Sequence, residues 1–134
     1  MSIDIRYEGG MRFEMSTRGH ECTLDLSESG GGTDAGLTPP EAFVGAVGAC
    51  VGVYLVDYCE RAELPTEGLA MTASSETVDD PKRIGRIRIE VKLPPGIPEG
   101  RLRALHKVAD SCLIHQTLVH GPEVEVSLTR PDAP

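Results

Sequence analysis

Hydrophobic positions in the first 26 residues fall two apart. Ile3 and Ile5 alternate with polar neighbours, Gly9-Gly10 interrupts them, and Met11, Phe13 and Met15 alternate again. After Arg18-Gly19, the set Cys22, Leu24 and Leu26 shares one face. A period of two with Gly-containing breaks predicts three strands joined by turns. Ser29 to Gly36 (SGGGTDAG) holds turn formers without periodicity and predicts a flexible loop.

The pattern then changes. Thr38-Pro39-Pro40-Glu41 has the spacing of a helix start, with Thr38 as N-cap, Pro39 at the first helical position and Glu41 closing a capping box. From Ala42 to Val56 no residue is charged, so this helix, running to about Ala62 before Pro65, is apolar on every side. Such a helix has to be surrounded by protein. Leu69, Met71 and Ala73 begin a further strand, which turns at Val78-Asp79-Asp80-Pro81. Ile87, Ile89, Val91 and Leu93 then alternate with Arg86, Arg88, Glu90 and Lys92, giving one dry and one wet face. Beyond Pro98, Leu102, Leu105, Ala109 and Cys112 fall at helical spacing and place Cys112 on the buried face of a second helix. Val124, Val126 and Leu128 predict a last strand. The order is three strands, helix, two strands, helix, strand, which predicts an α+β fold of antiparallel sheets around two core helices. It forms one domain over residues 1–134, with no repeat and no linker. A second copy of the chain is the natural cover for the apolar helix, so a homodimer is expected.

Composition narrows the function. The net charge of −8 argues against a nucleic-acid partner, which needs a basic face, and against an anionic membrane surface. The basic stretch Lys82 to Arg88 alternates and reads as the wet face of its strand. The uncharged run of 15 residues is shorter than the roughly 20 that span a bilayer. No N-terminal stretch has the form of a signal peptide. With four cysteines in 134 residues the chain is no disulfide-dense scaffold, and a cytoplasmic, reducing location is expected.

The candidate chemistry lies in the cysteines. Peroxide reduction needs a thiolate to attack a peroxide oxygen and a second thiol to condense with the resulting sulfenic acid. Cys50 and Cys112, each in apolar surroundings, suit the attacking and resolving roles, and an apolar pocket favours an organic hydroperoxide. Spacing alone favours two unrelated core cysteines, since free Cys is among the most buried residue types. Cys22 and Cys59 read as packing residues. Tyr54, one turn after Cys50, either lines the same pocket or belongs to the core. His115 completes a Cys112-x-x-His115 phrase, but two ligands fall short of the four a structural zinc takes, and a structural His at a helix end accounts for it. Gly30-Gly31-Gly32 lacks the Lys-Ser/Thr of a phosphate cradle. No metal and no cofactor are expected.

The phrase Thr38-Pro39-Pro40-Glu41 with Val47-Gly48-Ala49-Cys50, followed more than sixty residues later by Cys112-x-x-His115, resembles the OsmC/Ohr superfamily of osmotically inducible and organic hydroperoxide resistance proteins. The element order resembles that family over essentially the whole chain. The resemblance implies an intertwined homodimer with two sites at its interface. It also implies redox cysteines matched by Cys50 and Cys112, reduction of organic hydroperoxides, and a small dithiol such as a lipoyl group as reductant. The hydroperoxide resistance branch further has an Arg near the N-terminus, held by a Glu ten residues before the attacking Cys; an adjacent cation favours the thiolate. Here that position is Pro40. Glu41, nine before, lies on the opposite side of the helix from Cys50. The best match for the Arg is Arg12, with Arg18 as runner-up. These departures resemble the broader OsmC-like branch. The second reading they motivate is a non-catalytic module that binds a hydrophobic small molecule at the dimer interface, and the third is a zinc-binding dimer.

Overall fold

The computed structural model describes residues 1–132. The fold is α+β. Strands β1 (Asp4–Tyr7), β2 (Phe13–Thr17) and β3 (His20–Leu24) form one antiparallel sheet in that order. The β2–β3 turn is Arg18-Gly19, both at positive φ (52° and 82°), which is the pairing a tight hairpin with the native strand twist requires. Arg18, the runner-up for the activating arginine, is therefore a turn residue.

Helix α1 (Pro39–Arg61) begins as its sequence predicts. The Thr38 hydroxyl accepts the Glu41 N–H at 3.3 Å, and the Glu41 carboxylate accepts the Thr38 N–H at 2.8 Å. Strands β4 (Ala70–Val78) and β5 (Arg83–Lys92) form an antiparallel ribbon, with a register shift at Glu76/Thr77. Helix α1 lies on its dry face. A Cβ on Gly48 would sit 3.4 Å from the Ala73 Cβ, and one on Gly52 would crowd the Met71 sulfur at 3.2 Å. The two glycines thus bring the helix backbone close to β4. Val51, Leu55, Cys59, Leu105 and Cys112 form the buried core, with Ile89, Val91 and Leu93 of the ribbon packed against it. Each large aliphatic side chain sealed there contributes about 1.5–3 kcal/mol.

Three expectations change. The second helix does not run through to Cys112. A 3-10 turn (Glu99–Arg101) leads into α2 (Leu102–Asp110), the chain breaks at Ser111, and a third helix, α3 (Leu113–His120), follows. The loop predicted as flexible is an ordered knot, containing a 3-10 turn at Glu28–Gly30 and closed by side-chain bonds described below. The predicted last strand is not formed: Val124, Val126 and Leu128 lie in an exposed stretch that pairs with neither sheet. Within one chain α1 is only partly covered, which leaves a face for the second copy expected from its sequence. The helix packs on β4, α2 and α3, but Ala46, Ala49 and Val53 face outward, and Val53 is 66% exposed. By length and composition this helix could also cross a membrane.

Candidate functional site

Cys50 occupies the middle of α1 and is half-buried, while Cys112 is sealed, with no solvent exposure. Cys50 packs against the buried cluster that contains Cys112, and both thiols are free. Burial pushes the Cys112 thiol pKa up. The N–H groups of His115 and Ile114 pull it down, and the adjacent Cys50 pushes it up again.

The position of Cys112 corrects the helical-face reading. It is the N-cap of α3: its Sγ accepts the His115 N–H at 3.3 Å, as a Ser or Thr hydroxyl would at that position. The Cys-x-x-His spacing is therefore that of N-cap and N3. His115 points its ring toward Asp110, with Nδ1 to Oδ1 at 3.9 Å, and His106 approaches the other oxygen at 3.3 Å. Among the described residues no group of three or more His, Cys, Asp or Glu side chains is arranged to hold a metal.

Tyr54 packs against the core cluster beside Cys50, and Cys59 is buried with its pKa raised by desolvation. Cys22 departs from its expected packing role and is exposed on β3. Grooves flank α1 on both sides. One of about 610 Å³ runs between α1 and β4 past Gly48, Ala49 and Met71. On the β5 side, two of about 410 and 460 Å³ share Val51, Ile87, Ile89 and His115.

Arg12 lies elsewhere. It follows the β1–β2 turn, and its Nη2 donates to the Thr33 hydroxyl at 2.8 Å, with Nε 3.9 Å from Asp25 Oδ2. Among the described residues no hydrogen bond or ion pair joins it to Cys50 in the same chain.

Sequence reasoning missed Asp25 altogether. Its side chain is 1% exposed and accepts four hydrogen bonds: from the N–H groups of Leu26, Thr33 and Ala35 and from the Thr33 hydroxyl. Gly32 passes so close to the Leu26 carbonyl and the carboxylate that no side chain could fit there. The Asp25 pKa falls from 3.8 to about 2, chiefly through the Thr33 hydroxyl, with the backbone donors helping and burial opposing. A carboxylate whose folded pKa lies below its unfolded one stabilises the fold above the unfolded value and loses that contribution as pH falls. The Asp25-dependent stability is therefore expected to be complete above about pH 4 and to fade toward pH 2. Thermal melts between pH 2 and 7 check this: Asp25→Asn should be less stable at neutral pH and lack that part of the acid slope.

A family model for OsmC-like proteins matches residues 31–127. No curated protein matches the chain. Among solved structures, the chain is similar to a candidate osmotic stress induced and detoxification response protein from Psychrobacter arcticus (TM-score 0.82, 13% identity, 87% of each chain). It is also similar to an OsmC-like protein from Mycoplasma pneumoniae (TM-score 0.78, 16% identity, 90% of this chain and 87% of that one). A third likeness is to the organic hydroperoxide resistance protein OhrB of Bacillus subtilis (TM-score 0.65, 13% identity, 90% of this chain and 93% of that one). At these identities the structural likenesses speak to the fold.

Proposed function

The chain belongs to the OsmC-like protein family, and from that premise we propose that it is a thiol peroxidase that reduces organic hydroperoxides through Cys50 and Cys112. The observation that carries the reading is the asymmetric pair itself: a half-buried thiol packed against the buried cluster that holds a sealed one, neither in a disulfide.

The chemistry balances with one external reductant. The Cys50 thiolate attacks the terminal oxygen of the hydroperoxide; an S–O bond forms, the O–O bond breaks, and the alkoxide leaves and takes a proton to become the alcohol. Cys112 then attacks the sulfenic sulfur and displaces its oxygen as water, giving the Cys50–Cys112 disulfide. A small dithiol, of which a lipoyl group is one form, reduces it by two exchanges and ends as its own cyclic disulfide. Cys50 suits the attacking role because it is partly exposed, and Cys112 suits the resolving role because it is sealed from solvent. The apolar grooves beside α1 suit an alkyl tail.

The working form proposed is a cytoplasmic homodimer. Three features support a second copy: the outward Ala46, Ala49 and Val53 of α1, a three-stranded sheet exposing Ile5, Tyr7 and Phe13, and a strand-patterned tail without a strand partner. Arg12, just before β2 of that sheet, is proposed to stabilise a Cys50 thiolate across this assembly, since among the described residues no hydrogen bond or ion pair joins it to Cys50 within one chain.

Treatment with one equivalent of cumene hydroperoxide, read by intact mass and peptide mapping, tests the couple. The expected product has lost two hydrogens per chain and carries a Cys50–Cys112 bridge. Unreacted thiols, or oxidation confined to the exposed Cys22, would refute the peroxidase reading. The grooves would then favour the second reading, a hydrophobic small-molecule carrier, which native mass spectrometry of the purified protein would reveal as a bound ligand.

A further inference from the structure

We infer that Asp25 is a positioning residue for Arg12, acting through Thr33, and that it does for this chain what a carboxylate on the first turn of α1 cannot. The inference rests on the peroxidase reading for its functional meaning, but its geometry is independent of it.

The carboxylates near the start of α1 are unavailable. Position 40 is proline, and the Glu41 side chain is committed to the Thr38 N–H of the capping box. Arg12 is instead tied to the loop between β3 and α1. The Thr33 hydroxyl donates to Asp25 Oδ2 at 2.7 Å and accepts from Arg12 Nη2 at 2.8 Å, so one oxygen links the carboxylate to the guanidinium. Arg12 Nε is buried, has no hydrogen-bond partner among the described residues, and faces the same Oδ2 at 3.9 Å. Arg12 is the cation paired with that sealed carboxylate, and a buried charge without a counter-charge is strongly disfavoured. The guanidinium is thereby held by one edge, while its side chain remains 42% exposed on the other. An arginine fixed in this way presents its free donors with less loss of rotamer freedom than a solvated one.

The same knot fixes where α1 begins. Asp25 N–H donates to the Leu37 carbonyl at 3.0 Å, and Leu24 bridges to Leu37, one residue before the Thr38 cap. Arg12 and the helix that carries Cys50 are therefore both referenced to Asp25. A carboxylate that only closed its loop would need its four hydrogen bonds but not the link to Arg12.

The experiment is the rate of Cys50 alkylation by iodoacetamide from pH 5 to 10, followed by peptide mapping in the full-length chain. It needs no turnover, so it separates this inference from the peroxidase reading, which Cys50→Ser judges. Arg12→Ala is expected to slow alkylation at pH 7 about five- to tenfold and to move the profile to higher pH, as loss of a nearby cation does. Asp25→Asn should reproduce that shift, and the double variant should go no further than Arg12→Ala, since the two residues would act as one unit. Thr33→Val should show the same non-additive shift, and it decides the matter if Asp25→Asn does not fold. The inference is overturned by an unshifted profile in Asp25→Asn. It is equally overturned if Arg12→Ala has no effect, or if the Asp25 and Arg12 effects add.

Discussion

Cys50→Ser is expected to lower hydroperoxide turnover by on the order of 10³-fold or more, because removal of a nucleophile leaves only binding and local electrostatics to act. The hydroxyl is nearly isosteric, and Cys50 is only half-buried on the rim of the core, so the fold should survive and circular dichroism should be unchanged. Cys112→Ser should behave differently. Its Sγ is the acceptor that caps α3, and a serine hydroxyl can take the same His115 N–H, so the helix start is preserved. What is lost is the second thiol. The variant should consume about one equivalent of hydroperoxide in a burst and then stall, with Cys50 trapped as a sulfenic acid by dimedone. Steady turnover in either variant, measured as alcohol released with a dithiol present, would show that the pair does not carry the reaction.

The other large effect concerns assembly. Val53 is the largest side chain of the outward stripe of α1 and is 66% exposed in a single chain. If that stripe is covered by a second copy, Val53→Asp places an unpaired carboxylate in an apolar interface, at a cost of about 3–5 kcal/mol for each buried charge. Wild-type protein is expected to sediment at twice the 14.3 kDa chain mass and the variant as a single chain. Peroxidase activity should fall with the dimer if the two sites lie at its interface. A wild-type protein that sediments at the single-chain mass would refute the dimer.

Much of the architecture could be read from residue order, and the reasons are local. Thr38, Pro39 and Glu41 specify a helix start within four residues, and Ile87 to Leu93 specify a two-faced strand within seven. Features that depend on closure in space were not legible. Nothing in the spacing of Asp25, Thr33 and Ala35 announces that one carboxylate gathers their donors, because the loop has to fold before those groups meet. The break at Ser111 carries no Pro or Gly, so the helical spacing of Leu102, Leu105 and Ala109 extrapolated smoothly past it to Cys112. The hint that could have found the break was the three-residue interval from Cys112 to His115, the interval of a cap and its donor. The tail is a third kind of miss. Val124, Val126 and Leu128 have strand character, but a strand exists only where another strand pairs with it, and among the described residues none does.

The complete enclosure of Cys112 also determines how such a protein would wear out. Irreversible overoxidation requires a second peroxide to meet a sulfur that has already reacted once, and of the pair only Cys50 lies where that can happen. Under the proposed chemistry, damage from excess peroxide is a race at one atom between an incoming oxidant and a neighbour already in place. Cys112 would emerge from a spent population chemically intact, so the lesion count on Cys50 alone would record how often the race was lost.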